Sequence, residues 1–210
     1  MAQIKAVVFD MDGVLIDAKE WHYEALNKAL ALFGFSISRQ EHLSTYDGLP
    51  TRKKLEMLSV EKDLPAGLHE FINHMKQIYT LQIANMKCSP LFIHEYALSR
   101  LKADGYRLGV ASNSVKDSVE LMMKKSHLTP WLDVMLSNQD VKKAKPAPDI
   151  YLKAAELLNL RPDECLVVED NQHGIAAATA AGTHVLVVGS VTDVNYQNIV
   201  ERIAQIEAGK

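Results

Sequence analysis

Residues 4–17 read Ile4-Lys5-Ala6-Val7-Val8-Phe9-Asp10-Met11-Asp12-Gly13-Val14-Leu15-Ile16-Asp17. The apolar run from Ile4 to Phe9 has the length of a buried strand, and it ends in two carboxylates one residue apart, followed by glycine. Asp-Gly is ordinary turn chemistry, so one reading is a strand that runs into a polar turn. The other puts both acids at the carboxyl edge of a strand, where open α/β sheets hold their ligands. The rest of the chain decides between them.

Beyond Asp17, which is placed to cap a helix, Trp21, Ala25, Ala29 and Leu32 recur at helical spacing, and Gly34 provides a stop. Ser38-x-x-Glu41 has the form of a capping box, and Gly48-Leu49-Pro50-Thr51 that of a break. Leu55 and Leu58 form a short apolar face. Pro65 is expected to open a longer helix with Leu68, Phe71, Ile72, Met75 and Tyr79 on one side. No strand alternation falls between Asp17 and Lys87, so residues 18–87 read as an all-helical insert.

From Ser89-Pro90 the pattern alternates. A helix through Leu91, Tyr96 and Leu101 stops at Gly105, and Tyr106 to Ala111 forms a strand ending in Ser112-Asn113-Ser114. Ser114-x-x-Asp117 is read as the cap of a helix whose apolar face is Val119, Met122 and Met123. Asp133 to Leu136 is a short strand. Lys145-Pro146-Ala147-Pro148 leads into a helix with Ile150, Ala154, Leu157 and Leu158. Leu166-Val167-Val168 is a strand ending in Glu169-Asp170; an Ala-rich helix to Gly182, a strand over 184–188 and a final helix with Ile199 and Ile203 follow. Unbroken apolar strands between amphipathic helices mark a parallel sheet covered on both faces. The expected architecture is α/β: a Rossmann-like doubly wound core, residues 1–17 and 88–210, interrupted by a helical cap, residues 18–87.

Composition narrows the function classes. The 210 residues are 48% hydrophobic and 23% charged, with net charge −3, which is ordinary for a globular protein. There is no long Lys/Arg block to serve as a nucleic-acid footprint, no apolar run near the ~20 residues of a membrane span, and no signal-peptide pattern. Cys88 and Cys165 are too few for a disulfide framework. A cytoplasmic protein, monomeric or a weak homodimer, is expected, with neither nucleic acid nor membrane as partner.

Several strands end in functional groups: Asp10 and Asp12, then Ser112-Asn113, then Glu169-Asp170, with Lys145 following another. In a parallel sheet such tips share one edge and converge. Alone, each has a structural reading: a turn serine, a solvated lysine beside Lys142 and Lys143, an acid pair at a helix N-terminus. Together they point to a site. Carboxylates 4 Å apart repel by about 4 kcal/mol per pair at an effective dielectric near 20. One lysine does not offset four acids, whereas a hard divalent cation does, and an all-oxygen set suits Mg²⁺ better than zinc. Mg²⁺ with a lysine, a serine hydroxyl and strand-tip amides is equipment for holding a phosphoryl group, with an aspartate as nucleophile.

Four motifs in order, Asp10-Met11-Asp12-Gly13-Val14-Leu15, Val110-Ala111-Ser112-Asn113, Lys145-Pro146-Ala147-Pro148-Asp149 and Val168-Glu169-Asp170, resemble those of the haloacid dehalogenase superfamily. The likeness is to its subfamily I, the β-phosphoglucomutase-like and phosphatase group with a helical cap. The resemblance implies a phosphatase in which Asp10 attacks phosphorus and Asp12 is general acid and base. Ser112, Asn113 and Lys145 would bind the phosphoryl group. Mg²⁺ would sit on Asp10, the Asp12 backbone carbonyl and Asp170, with Glu169 as ligand or close neighbour. Ala144 and Asn171 depart from the family's usual glycine and serine without removing a charge or ligand.

For substrate contacts from the cap, the resemblance points to His22, Gly48, Thr51 and Arg52. A mutase of this group carries lysine before the loop glycine, where this chain has Asp47, and arginine three residues after it, where this chain has Thr51. Asp47 would repel a second phosphate, which favours hydrolysis of a small phosphorylated metabolite, a sugar phosphate or similar monoester. A β-phosphoglucomutase-like phosphomutase remains the alternative, and a non-enzymatic phosphoacceptor or regulatory domain a more distant one.

Overall fold

The computed structural model describes residues 3–46 and 48–209. Asp47, which bears on the second phosphate, lies outside the described residues. Two compact units form, Met1–Asp17 with Cys88–Lys210, and Ala18–Lys87.

The first strand, β1 (Ala6–Phe9), is buried at every residue. The chain then builds the helical unit from α1 (Lys19–Ala31), α2 (Arg39–Glu41), which runs on into a π-helical turn at His42–Tyr46, and α3 (Thr51–Glu61). After a 3-10 turn at Ala66–Leu68 comes α4 (His69–Lys87). Leu26 and Leu30 of α1, Leu55 and Leu58 of α3 and Ile72 of α4 form one buried cluster with Ile37 and Tyr46. The capping box at α2 is present in both directions, Ser38 Oγ accepting from Glu41 N and Ser38 N donating to Glu41.

The α/β unit resumes with α5 (Phe92–Ala103), β2 (Arg107–Ala111), α6 (Lys116–Lys125), β3 (Val134–Leu136) and α7 (Asp149–Leu158). It ends with β4 (Cys165–Glu169), α8 (Gln172–Ala181), β5 (His184–Val187) and α9 (Tyr196–Glu207). The five strands pair in the order β3-β2-β1-β4-β5, every neighbour parallel. This is the doubly wound sheet that the unbroken apolar strands imply. Ala6 and Val8 pack with Ile150, Tyr151 and Ala154 of α7 and with Ala177 and Ala178 of α8. Strand alternation turns Val7 and Phe9 to the opposite face. Phe9 pairs with Val110 of β2 and Val168 of β4, so one residue further on Asp10 stands level with Ala111 and Glu169.

Several local expectations are corrected. Asp17 does not cap α1: the residue before the helix is Ala18, with no side-chain cap, because the helix begins one residue too late for Asp17 to reach it. Ser114 does not cap α6, whose preceding residue is Val115, again without a side-chain bond; its hydroxyl has another partner, given below. Pro65 starts a 3-10 turn and not the long helix. Phe71 and Leu157 are exposed, outside the apolar faces to which their spacing assigned them. No helix among the described residues is long and apolar enough to cross a membrane.

Ile72 is wholly buried against α1 and α3. Ile72→Ala should therefore lower stability by about 2–5 kcal/mol, through lost burial and the cavity left behind. Urea denaturation followed by far-UV circular dichroism measures it, and a loss below about 1 kcal/mol would mean that the helical unit closes the gap by itself.

Candidate active site

The turn after β1 sets the first two acids. Met11 O accepts from Leu15 N at 3.0 Å and Ile16 N at 2.9 Å, and Gly13, with φ at +92°, donates its N–H to Ile16 O at 2.7 Å. A residue with a Cβ is strained at that φ, which is why the loop turns at glycine. Asp10 is tied to the sheet through its own N–H to Val168 O at 3.0 Å and is buried, whereas Asp12 is half-buried.

Lys145 reaches this edge from the loop before α7 and is 3% exposed, so it does not share the solvent with its basic neighbours Lys142 and Lys143. Its Nζ lies 2.6 Å from Asp10 Oδ1 and 2.7 Å from Glu169 Oε1. Its backbone is held at both polar atoms by one side chain: Lys145 N donates to Asn113 Oδ1 at 3.0 Å, and Asn113 Nδ2 donates to Lys145 O at 3.3 Å. Asn113 O in turn accepts from Asn138 Nδ2 at 2.8 Å. The Lys145–Pro146 peptide is cis.

Glu169 is fully buried. Its Oε1 also accepts from Tyr151 Oη at 2.6 Å, and its Oε2 from Asp170 N at 3.1 Å and Asn171 Nδ2 at 3.3 Å. Asn171 caps α8 through its Oδ1, which accepts from Gly174 N at 3.0 Å. Ser112 Oγ accepts from Ser114 N at 3.0 Å, and Ser114 Oγ donates to Asp12 Oδ2 at 2.8 Å. A chain of hydrogen bonds thus links Asp12, Ser114 and Ser112, and another links Asn113, Lys145, Asp10 and Glu169.

Burial pushes the Asp10 carboxyl well above the usual range; Lys145 pulls it the other way, while Glu169 and Asp12 add repulsion. Burial pulls on the Lys145 ammonium in the opposite sense, but Asp10 and Glu169 outweigh it and hold the amine above its ordinary value. One ammonium thus stands among the carboxyls of Asp10, Glu169 and Asp170, in a place where burial opposes charging Asp10. Asp10, Glu169 and Asp170 each present a carboxylate oxygen within 4.8 Å of the others. Three hard oxygen donors so clustered fit a divalent cation, and with no His or Cys among them they do not fit the usual zinc sets.

Among the residues singled out in the sequence, the α/β unit brings Asp10, Asp12, Ser112, Asn113, Lys145, Glu169 and Asp170 to one sheet edge. The Asn113 side chain is taken up by the main chain of Lys145, and the Asn113 carbonyl by Asn138. His22, Gly48, Thr51 and Arg52 belong to the helical unit. His22 is on α1, half-buried, with Nδ1 3.2 Å from Lys76 Nζ of α4. Gly48 has φ +71°, Thr51 opens α3, and exposed Arg52 lies 3.5 Å from Glu56.

Sequence reading missed Ser114, Tyr151 and Gly174. Ser114 has the spacing of a cap and Tyr151 sits in an apolar helix stripe, so neither stands out. Gly174 did leave a signal, since a glycine inside an Ala-rich helix calls for a packing reason. That reason is steric: a Cβ on Gly174 would stand 1.7 Å from Glu169 Oε1 and 1.9 Å from its carboxyl carbon.

Residues 7–188 match the family described as haloacid dehalogenase-like hydrolase. A bifunctional riboflavin kinase/FMN phosphatase of Arabidopsis thaliana is 31% identical over 188 residues, 88% of this chain and 48% of that protein, so the chain spans about half its length. A phosphorylated carbohydrates phosphatase of Thermotoga maritima is 29% identical over 85% of this chain and 82% of its own. The crystal structure of a β-phosphoglucomutase from Clostridium difficile superposes with TM-score 0.84 at 23% identity, over 98% of this chain and 100% of that one, a likeness of fold.

Gly174→Ala should destabilise the protein by about 1–3 kcal/mol, because overpacking against a carboxylate held on both oxygens outweighs the gain of ~1 kcal/mol in helix propensity. Thermal unfolding checks it; a variant as stable as the parent would mean that Glu169 moves aside without cost.

Proposed function

The chain belongs to the haloacid dehalogenase-like hydrolase family, and on that premise we propose that it is a Mg²⁺-dependent phosphatase acting on a small phosphate monoester, such as a sugar phosphate. The observation that carries this reading is the buried array in which Lys145 bridges Asp10 and Glu169, next to Asp12 held by Ser114. The phosphatase names of the relatives from Arabidopsis and Thermotoga support a small phosphorylated metabolite as substrate.

An Asp10 carboxylate oxygen attacks phosphorus, and the ester P–O bond breaks as the Asp10 P–O bond forms. Asp12 gives its proton to the departing oxygen. Asp12 then takes a proton from water, the water oxygen attacks the aspartyl phosphate, and inorganic phosphate leaves as the Asp10 carboxylate is restored. Lys145 has one N–H beyond the two it gives to the carboxylates, and Ser112, which accepts from Ser114 N, keeps its own proton to donate; both suit phosphoryl oxygens. Asp10, the Asp12 carbonyl, Asp170 and Glu169 are the residues that would hold Mg²⁺, which when bound would supply positive charge against the acids and the phosphoryl group.

Substrate choice is assigned to the helical unit, to His22, Gly48, Thr51 and Arg52. A phosphomutase is the second reading, favoured by Lys76 beside His22, which gives that unit a cation suited to a second phosphate. Glucose 1-phosphate separates the two: phosphate release supports hydrolysis, and conversion to glucose 6-phosphate without release supports the mutase.

With p-nitrophenyl phosphate and a panel of phosphorylated metabolites, phosphate release should need Mg²⁺ and stop on addition of EDTA. Asp10→Asn should abolish turnover in a folded protein, and Asp12→Asn should lower kcat by about 10² to 10⁴-fold. Substantial turnover by Asp10→Asn would remove the nucleophile assignment.

Arg52→Ala should change KM or preference among metabolites while leaving p-nitrophenyl phosphate hydrolysis nearly intact. Equal loss on both would argue against a role in specificity.

A further inference from the structure

Tyr151 lies in the first turn of α7, directly after the loop that carries Lys145, and is 1% exposed. Its hydroxyl donates to Glu169 Oε1 at 2.6 Å, the oxygen that also accepts from Lys145. Its ring face meets the same ammonium, with Lys145 Nζ 4.7 Å from the ring centroid. One side chain therefore touches the lysine directly through its π face and indirectly through the carboxylate that binds it.

We propose that Tyr151 is a positioning residue for Lys145, fixing its ammonium between Asp10 and Glu169 so that the remaining N–H points at the phosphoryl group. The consequence for phosphate binding rests on the phosphatase reading; the placement of the lysine does not. A lysine side chain has a flexible four-carbon stem, and two carboxylate contacts leave the ammonium free to swing about the line between them. A ring face on a third side removes that freedom, because a cation is attracted to the face of an aromatic ring and most strongly where water is excluded. The hydroxyl fixes the second carboxylate, since a buried phenol needs a partner and Glu169 is that partner.

Tyr151 also packs among Ile150, Ala154 and Val167, so the test must separate position from packing. Tyr151→Phe keeps the ring and removes only the hydroxyl. With Mg²⁺ present, inorganic phosphate should bind about tenfold more weakly to this variant, by isothermal titration and by competitive inhibition of p-nitrophenyl phosphate hydrolysis. On a Lys145→Met background the same substitution should have no further effect, because no ammonium remains to be placed. Equal loss on both backgrounds would make Tyr151 a packing residue and overturn the proposal.

A second measurement serves if Lys145→Met does not fold. In ¹³C-lysine-labelled protein the Lys145 ε-methylene protons should be shifted upfield by the ring, be less shifted in Tyr151→Phe, where Glu169 is no longer held by the hydroxyl, and return to the ordinary lysine position in Tyr151→Leu. An unshifted signal in the parent protein would refute the contact. Failure of the parent to bind phosphate, with the shift present, would count against the phosphatase reading alone.

Discussion

The Lys145 ammonium, buried between Asp10 and Glu169, is the interaction on which the site depends. An ion pair out of water is not a ready source of stability, since desolvating the charges costs about what their attraction returns. It becomes tolerable when every remaining polar atom is bonded, and Glu169 meets that condition with partners on both oxygens. Removing one member of such a pair typically costs about 3–5 kcal/mol, because an uncompensated buried charge is left. The surroundings serve the pair: Asn113 holds the lysine backbone, Tyr151 its ammonium, and Gly174 leaves room for the acid.

Sheet order explains how groups far apart in the chain come together. With β1 in the middle, its carboxyl end is flanked by those of β2 and β4, so Asp10, Ser112 and Glu169 need no loop of special length to become neighbours. Lys145 comes from the longer connection between β3 and α7, and its backbone is clamped at both polar atoms by the Asn113 side chain. A doubly wound sheet supplies a shared edge without effort, and the sequence supplies the few bonds that the edge alone does not.

Legibility in the sequence followed the range of the forces. The strands could be read because a strand covered on both faces has to be apolar throughout, as Ala6 to Phe9 and Leu166 to Val168 are. The acids, the serine and the lysine could be picked out because, taken together, they follow successive strands of a parallel sheet and so fall on one edge. Tyr151 was hidden because an aromatic in an apolar helix stripe looks the same whether or not its hydroxyl has a task. Ser114 was hidden by its resemblance to a cap, and only the path of the turn between β2 and α6 decides where its hydroxyl goes. Exposed Phe71 and Leu157 show the opposite limit, in which periodicity overstates the width of the buried face.

The interruption of the α/β unit between β1 and α5 has a consequence for synthesis. β1 is made before the helical unit, yet Ala6 pairs with Arg107 and Cys165, so its ladders cannot close until both have left the ribosome. For that interval an apolar segment with unpaired backbone edges waits, the kind of segment that invites aggregation. Residues 18–87 build their cluster from contacts among themselves, and local contacts form fast. Early folding of that stretch shortens the effective loop that β1 must close once its partners emerge.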